Sequence, residues 1–350
     1  MLLPPISTIS QDQLWDLLCM PVDIEVEDME HIEARKDQIP LRERSRAQQI
    51  AQNELFQEWA ITARSSRLLI HGNYFGPAPG MVGQAALSFF TTFVAKAFRA
   101  RPNFICLVWF CGRHVEEEDD EDDGYEDFSD SETESDEYYF THRSGAFYDD
   151  EEDEETDIYR EHAYTQKGPI KKMLRSLIAQ LLSDHDFALR TRALPPGLSA
   201  SALLNQGGLS FKQLITIFRW LVRQLPPEIT LFCIIDGIIV YEREELEDAT
   251  LEALGDILDL TVDKDPSVPS APVKVLVTSQ RPTSSVRIAF EKHYEGEPVP
   301  LAGEGETDED IHNVLDKDWI LSMDALPPLP WSGPSEARMN RELGVHGDEE

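Results

Sequence analysis

TLFCIIDG, residues 230–237, is an apolar run that ends on an acid and a glycine. It is continuous rather than alternating, as a parallel strand covered on both faces tends to be. Working outward, three more runs of the same kind appear: VKVLVTS (273–279), FICLVWFC (104–111) and RLLIHG (67–72). Helical patterns separate them. AALSFFTTFVAKAF (85–98) is apolar; PIKKMLRSLIAQLL (169–182) has Pro in its first turn and Leu/Ile at helical spacing; further helices are expected near 210–225 and 244–260. PVPLAG (298–303) reads as a short fifth strand, followed by a helical DEDIHNVL (308–315). Strands alternating with helices imply right-handed crossovers. The expected fold is therefore α/β: three-layer, doubly wound, with a mostly parallel five-stranded sheet.

Such sheets bind ligands beyond the carboxyl ends of their strands. The loops after residues 72, 111, 236 and 279 are thus the candidate functional edge. The first of these, NYFGPAPGMVG (73–83), is rich in Gly and Pro. Ahead of the sheet, residues 1–40 read as a helical N-terminal extension. In it SQDQLWDLLCM (10–20) forms a short amphipathic helix with Ser10 as N-cap. Residues 21–40 are acidic, and a charged helix runs from Leu41 to about Arg64. Residues 41–315 form the α/β domain, and the Pro-rich tail 316–350, with DALPPLPWSGP, is expected to be disordered.

The formal charge is −35 over 350 residues, but it is concentrated. Residues 116–157 hold 23 Asp/Glu against a single Arg, Arg143, and leave −13 for the rest of the chain. Like charges at this density predict a disordered acidic insert, 116–165, within the domain. The global field disfavours nucleic acid, whose binding draws on Lys and Arg. Of the four cysteines, Cys106, Cys111 and Cys233 sit in apolar runs and read as small hydrophobes. Cys111 and His114 make a lone CxxH, too little for a zinc site, so no metal site is expected. No basic n-region precedes an apolar stretch, and no run is long enough to span a bilayer. The expected setting is intracellular and cytoplasmic, with the nucleus left open.

FQEWA…RLLIHG, MLRSLIAQLL, LFCIIDG, VKVLVTSQRP and PVPLAG…DEDI follow one another in the order found in NACHT-type STAND domains of P-loop NTPases, common in fungal proteins. The resemblance covers roughly residues 50–315, and CGRH with IIDGIIVYE looks closer to a divergent fungal branch. It implies a nucleotide site at Gly80, Gly83, Gln84, Ala85, Asp236, Ser279 and Arg281. A working P-loop needs Lys for the β/γ-phosphates and Ser/Thr for Mg²⁺. With GMVGQAAL (80–87) aligned to that loop, Gln84 and Ala85 occupy those two positions. Two further acids expected after Asp236 are Ile239 and Val240, with Glu242 and Glu244 displaced beyond them. Thr278, Ser279 and Arg281 resemble a TSRP sensor with Gln280 inserted. Lys96 lies three helical turns too far along to replace the missing Lys.

The expectation is a catalytically degenerate NTPase-like module, with no catalytic residues and no cofactor, that binds or scaffolds a protein partner. The alternative is a nucleotide-binding or weakly active ATPase or GTPase switch, taking ATP or GTP with Mg²⁺ in an atypical phosphate loop. Asp236 reads equally as a strand-end cap, and His71 and His114 as structural histidines. Phe89, Phe90 and Phe93 read as core, and Trp15, Trp59, Trp109 and Trp220 as packing anchors. In the acidic insert, Ser129, Ser131 and Thr133 each precede an acid by three residues, the pattern of acidophilic kinase sites. Its interleaved aromatics, such as Tyr138, Tyr139 and Phe147, suit docking on a basic partner protein; the other reading is a solvated loop insertion.

Overall fold

Two Ser-x-x-Gln boxes start helices in this chain. Ser10 accepts from the Gln13 N–H while Gln13 reaches back to the Ser10 N–H, and Ser210 and Gln213 do the same. The computed structural model describes residues 8–21, 23–72, 86–115, 168–187, 189, 193–205, 208–262, 270–292, 320–322 and 326. Its helices are α1 (Gln11–Leu18), α2 (Ile24–Ala34), α3 (Leu41–Gln52), α4 (Glu54–Ile61), α5 (Ala86–Arg99), α6 (Gly168–Asp184), α7 (Ala200–Asn205), α8 (Phe211–Val222), α9 (Glu244–Leu258) and α10 (Ser285–Lys292). Its strands are β1 (Ser66–His71), β2 (Phe104–Phe110), β3 (Thr230–Asp236), β4 (Val273–Ser279) and β5 (Ile320–Ser322).

The five strands form one sheet in the order β2-β3-β4-β1-β5, and every pairing is parallel. The sheet is thus wholly rather than mostly parallel. Its period-two alternation divides the core into two layers. Leu69, Trp109, Cys233, Ile235, Val275 and Val277 point to one face, beneath α1, α6, α8, α9 and α10. Leu68, Ile70, Val108, Phe232, Ile234 and Leu276 point to the other, beneath α2, α3, α4 and α5. Helices on both faces of the sheet make three layers. On the second face the aromatics cluster: Phe98 stacks on Phe232 at 4.0 Å between centroids, and Trp59 meets Phe232 edge-on at 5.8 Å.

Several expectations shift. The fifth strand is Ile320–Ser322, inside the stretch read as a Pro-rich tail, so the domain runs past residue 315. Three residues are too few to show a period. PVPLAG (298–303) and the helix at 308–315 lie outside the described residues. The described part of the expected extension, residues 8–21 and 23–40, is not an appendage: Leu14 and Leu18 join the first core, and Met29 and Ile32 of α2 join the second. The single helix expected from 41 to 64 breaks at Asn53, whose side chain accepts from the Leu55 N–H at 2.9 Å and starts α4. Phe93 is 61% exposed, not core.

Lys274 lies fully buried in β4. Its ammonium donates to the Trp59 carbonyl at 2.6 Å and to Ser66 Oγ at 3.0 Å, tying α4 to the sheet. Desolvation lowers its pKa to about 8. Among the described residues no helix is long and apolar enough to cross a membrane.

Candidate functional site

The connections leaving β1 and β4 part company. After β1 the chain enters α5 on the second face; after β4 it enters α10, whose Val286 and Phe290 belong to the first. β1 and β4 are neighbours in the sheet, so the point between them is a topological switch point, where open α/β sheets form their ligand crevice. His71 and Ser279 are register partners at that point. The Gly72 N–H donates to the Ser279 carbonyl at 2.7 Å, closing the strand ends together. Gly72 is needed there, because a Cβ would lie 2.9 Å from Leu87 Cδ1 and 3.2 Å from the Gln280 carbonyl oxygen.

Beside this point Asp236 ends β3, 2% exposed. Ser88 Oγ donates to Oδ2 at 2.6 Å, and Thr278 Oγ1 and Thr91 Oγ1 donate to Oδ1 at 2.6 and 3.1 Å. Thr278 in turn accepts from the Gly237 N–H at 3.2 Å. Burial pushes the Asp236 carboxyl up, while the Ser88, Thr278 and Thr91 hydroxyls pull it back toward the ionised form. The carboxylate therefore joins α5, β3 and β4 through three hydroxyls. No Lys or Arg touches it among the described residues; Lys96 pairs instead with Glu33 at 2.6 Å. Ser88 and Thr91 were not singled out in the sequence. Their signal was a Ser and a Thr three residues apart near the start of α5, facing the strand-end Asp.

Of the other expected site residues, Gly80, Gly83, Gln84 and Ala85 lie outside the described residues, as do Ser129, Ser131 and Thr133. Ser279 is buried and its hydroxyl donates to the Arg281 carbonyl at 2.5 Å, while the Arg281 side chain is exposed. Ile239 and Val240 form part of a short 3₁₀ turn, Ile238–Tyr241, launched by Gly237 in the left-handed region (φ 72°). Glu242 is committed elsewhere: its carboxylate accepts from the Ser284 and Val286 N–H groups at 3.2 and 2.8 Å, capping α10. Glu244 is exposed in the first turn of α9.

His71 is 2% exposed at the end of β1. Its Nε2 pairs with Thr283 Oγ1 at 3.1 Å, while its buried Nδ1 has no partner. Desolvation, helped by the charge of Arg287, lowers its pKa to about 4, so the ring is neutral. It is a half-satisfied histidine. His114 is the satisfied one. It stacks on Trp109 at 4.1 Å and bonds Asp28 of α2 at 2.7 Å, with Arg113 at 3.3 Å from the same carboxylate. Trp109 Nε1 donates to Tyr241 Oη at 3.0 Å. CGRH and the tyrosine of IIDGIIVYE thus knit α2 to β2 and to the turn after β3. The buried cysteines are inert: desolvation drives Cys106 and Cys233 to about 12. Among the described residues no group of His, Cys, Asp and Glu is arranged to hold a metal ion.

No family model, no curated protein and no solved structure matches this chain.

Proposed function

We propose that the chain is a P-loop-NTPase-like domain of NACHT/STAND type that has kept the sheet and lost hydrolysis, and that it works as a binding or scaffold module for a protein partner. The observation that carries the reading is Asp236. In a hydrolytic site an acid at this strand end would share Mg²⁺ with a nucleotide. Here both of its oxygens already accept hydroxyl protons, from Ser88, Thr91 and Thr278, in a site 2% exposed. A Mg²⁺-nucleotide does not fit that arrangement, and Asp236 acts as a clamp between α5, β3 and β4. The switch point between β1 and β4, whose following helices α5 and α10 lie on opposite faces of the sheet, supports the P-loop-like plan. The partner is a basic protein, drawn by the 23 acids of residues 116–157.

Phosphate release from ATP and GTP with Mg²⁺ tests the loss of hydrolysis. The expected result is no release above the protein-free blank. Mg²⁺-dependent turnover that disappears in a folded Asp236→Asn variant would overturn it.

A second reading, metal-free binding of a nucleotide's phosphates by backbone at the start of α5, is favoured by the unpartnered Nδ1 of His71 at the same crevice. A ligand at 100 times its Kd adds about 2.7 kcal/mol of stability. Millimolar ATP, ADP or GTP raising the melting temperature supports this reading, and an unchanged melting temperature removes it.

A further inference from the structure

Within a chain of charge −35, residues 168–227 are basic: eight Lys/Arg stand against two acids, Asp184 and Asp186. Part of that charge lines a groove of about 640 Å³ between α8, α9 and the Leu194-Pro195-Pro196 stretch. Lys212, Thr216, Arg219, Trp220 and Arg223 recur at helical spacing along one side of α8, so cations stand at both ends of a stripe about 16 Å long. Arg219 is paired with Asp256 and Asp259. The other acid of the rim, Glu252, carries an interaction of its own. Lys212 and Arg223 are exposed, and neither side chain makes an ion pair or hydrogen bond among the described residues. Lys212 also stands in the first turn of α8, where the helix dipole disfavours a cation. Between the two cations, half-buried Trp220 and the two prolines offer an apolar, ring-accepting floor.

The chain contains a segment with the complementary chemistry. FYDDEEDEETD, residues 147–157, opens on two aromatics and places eight acids in eleven residues. Its tether is suitable as well. Gly168 starts α6, and α6 packs against α8. The ten residues 158–167 span up to about 33 Å when extended, about twice the length of the α8 stripe. We propose that the α8 groove is the docking site for residues 147–157 of the same chain. Phe147 and Tyr148 lie on Trp220 and the prolines, and the acids that follow meet Lys212 and Arg223. A basic partner must then compete with the groove for the acidic run, so the inference extends the partner reading without depending on the loss of hydrolysis.

Zero-length carbodiimide coupling of lysine amines to carboxylates in the full chain, read by mass spectrometry, tests this. Mixing isotopically light and heavy protein separates links within one chain from links between copies. The expected result is an intrachain link from Lys212 to the acids at 149–157. Its yield should fall several-fold from about 0.01 M to about 1 M salt, as the screening length contracts from about 30 to about 3 Å. Arg223→Glu, which leaves Lys212 in place, should lower the yield several-fold; a link from Lys96 on the opposite face of the sheet should not change. Absence of the Lys212 link, a link found only between copies, or a yield indifferent to both salt and Arg223→Glu would each overturn the proposal. None of these outcomes bears on the phosphate-release experiment.

Discussion

The Gln180 carboxamide hydrogen-bonds both backbone polar groups of Val108: Oε1 accepts from the N–H and Nε2 donates to the carbonyl, each at 2.9 Å. β2 is an edge strand, and this amide stands where a neighbouring strand would. Arg99 continues the cover, with Nε donating to the Cys106 carbonyl at 3.0 Å and an NH2 group reaching Gln180 Oε1 at 3.1 Å.

Gln180→Ala is therefore expected to orphan a buried N–H and a buried carbonyl together, at about 2–4 kcal/mol. Urea denaturation measures the loss. Sedimentation should show more self-association, because the bared edge offers a template for pairing.

Asp236→Ala strands the hydroxyls of Ser88, Thr91 and Thr278 in a buried site. The expected loss is about 3 kcal/mol. Asp236→Asn keeps one acceptor oxygen and should lose roughly half as much. Equal stability of Asp236→Ala and the wild type would show that the carboxylate is not a clamp.

Gly72→Ala drives a Cβ against Leu87 and the Gln280 carbonyl, and should cost about 1–3 kcal/mol. The Leu87 side chain can be removed but the carbonyl cannot. In a double-mutant cycle with Leu87→Ala, the two losses should sum to more than the loss of the double variant, by about 1 kcal/mol.

Tyr241→Phe leaves the buried Trp109 Nε1–H without its acceptor, with an expected cost of about 1–3 kcal/mol. The double variant Trp109→Phe/Tyr241→Phe removes donor and acceptor together. Its loss should be smaller than the sum of the single losses, which chemical denaturation of all four proteins would show.

His71 has a folded-state pKa of about 4 against 6.5 for an unburied histidine. The unfolded chain therefore takes up the proton first as pH falls. Stability from this site is complete above about pH 6.5, declines between 6.5 and 4, and levels off below that, for a loss on the order of 3 kcal/mol. Melting temperature against pH should show the decline, and a folded His71→Asn variant should lack that component.

The four long strands were legible because each is a run of apolar residues bounded by a turn signal. LFCIIDG and VKVLVTS fall on β3 and β4 almost residue for residue. Ile320–Ser322 was illegible because a run of three residues has no period, and its membership of the sheet is fixed only by pairing with Leu69–His71. Asp236 was found from its place at a strand end, but its partners were not, since Ser88 and Thr91 meet it across 148 and 145 residues of sequence. The same distance hid Asp28, which satisfies His114 from a helix 86 residues upstream. Glu242 looked like a displaced catalytic acid, and only the start of α10 shows that its carboxylate caps a helix.

The position of β1 in the sheet has a consequence for how the protein is made. Its partner β4 lies 208 residues further along the chain, and β5 further still. At a synthesis rate of about 5–20 residues per second, Leu68, Leu69 and Ile70 leave the ribosome about 10–40 s before any strand can pair with them. β2 and β3 gain each other earlier, so the nascent chain carries a bare apolar strand through most of translation. Protection of residues 66–71 from protease in ribosome-stalled chains should therefore appear only once the stall lies well beyond residue 279.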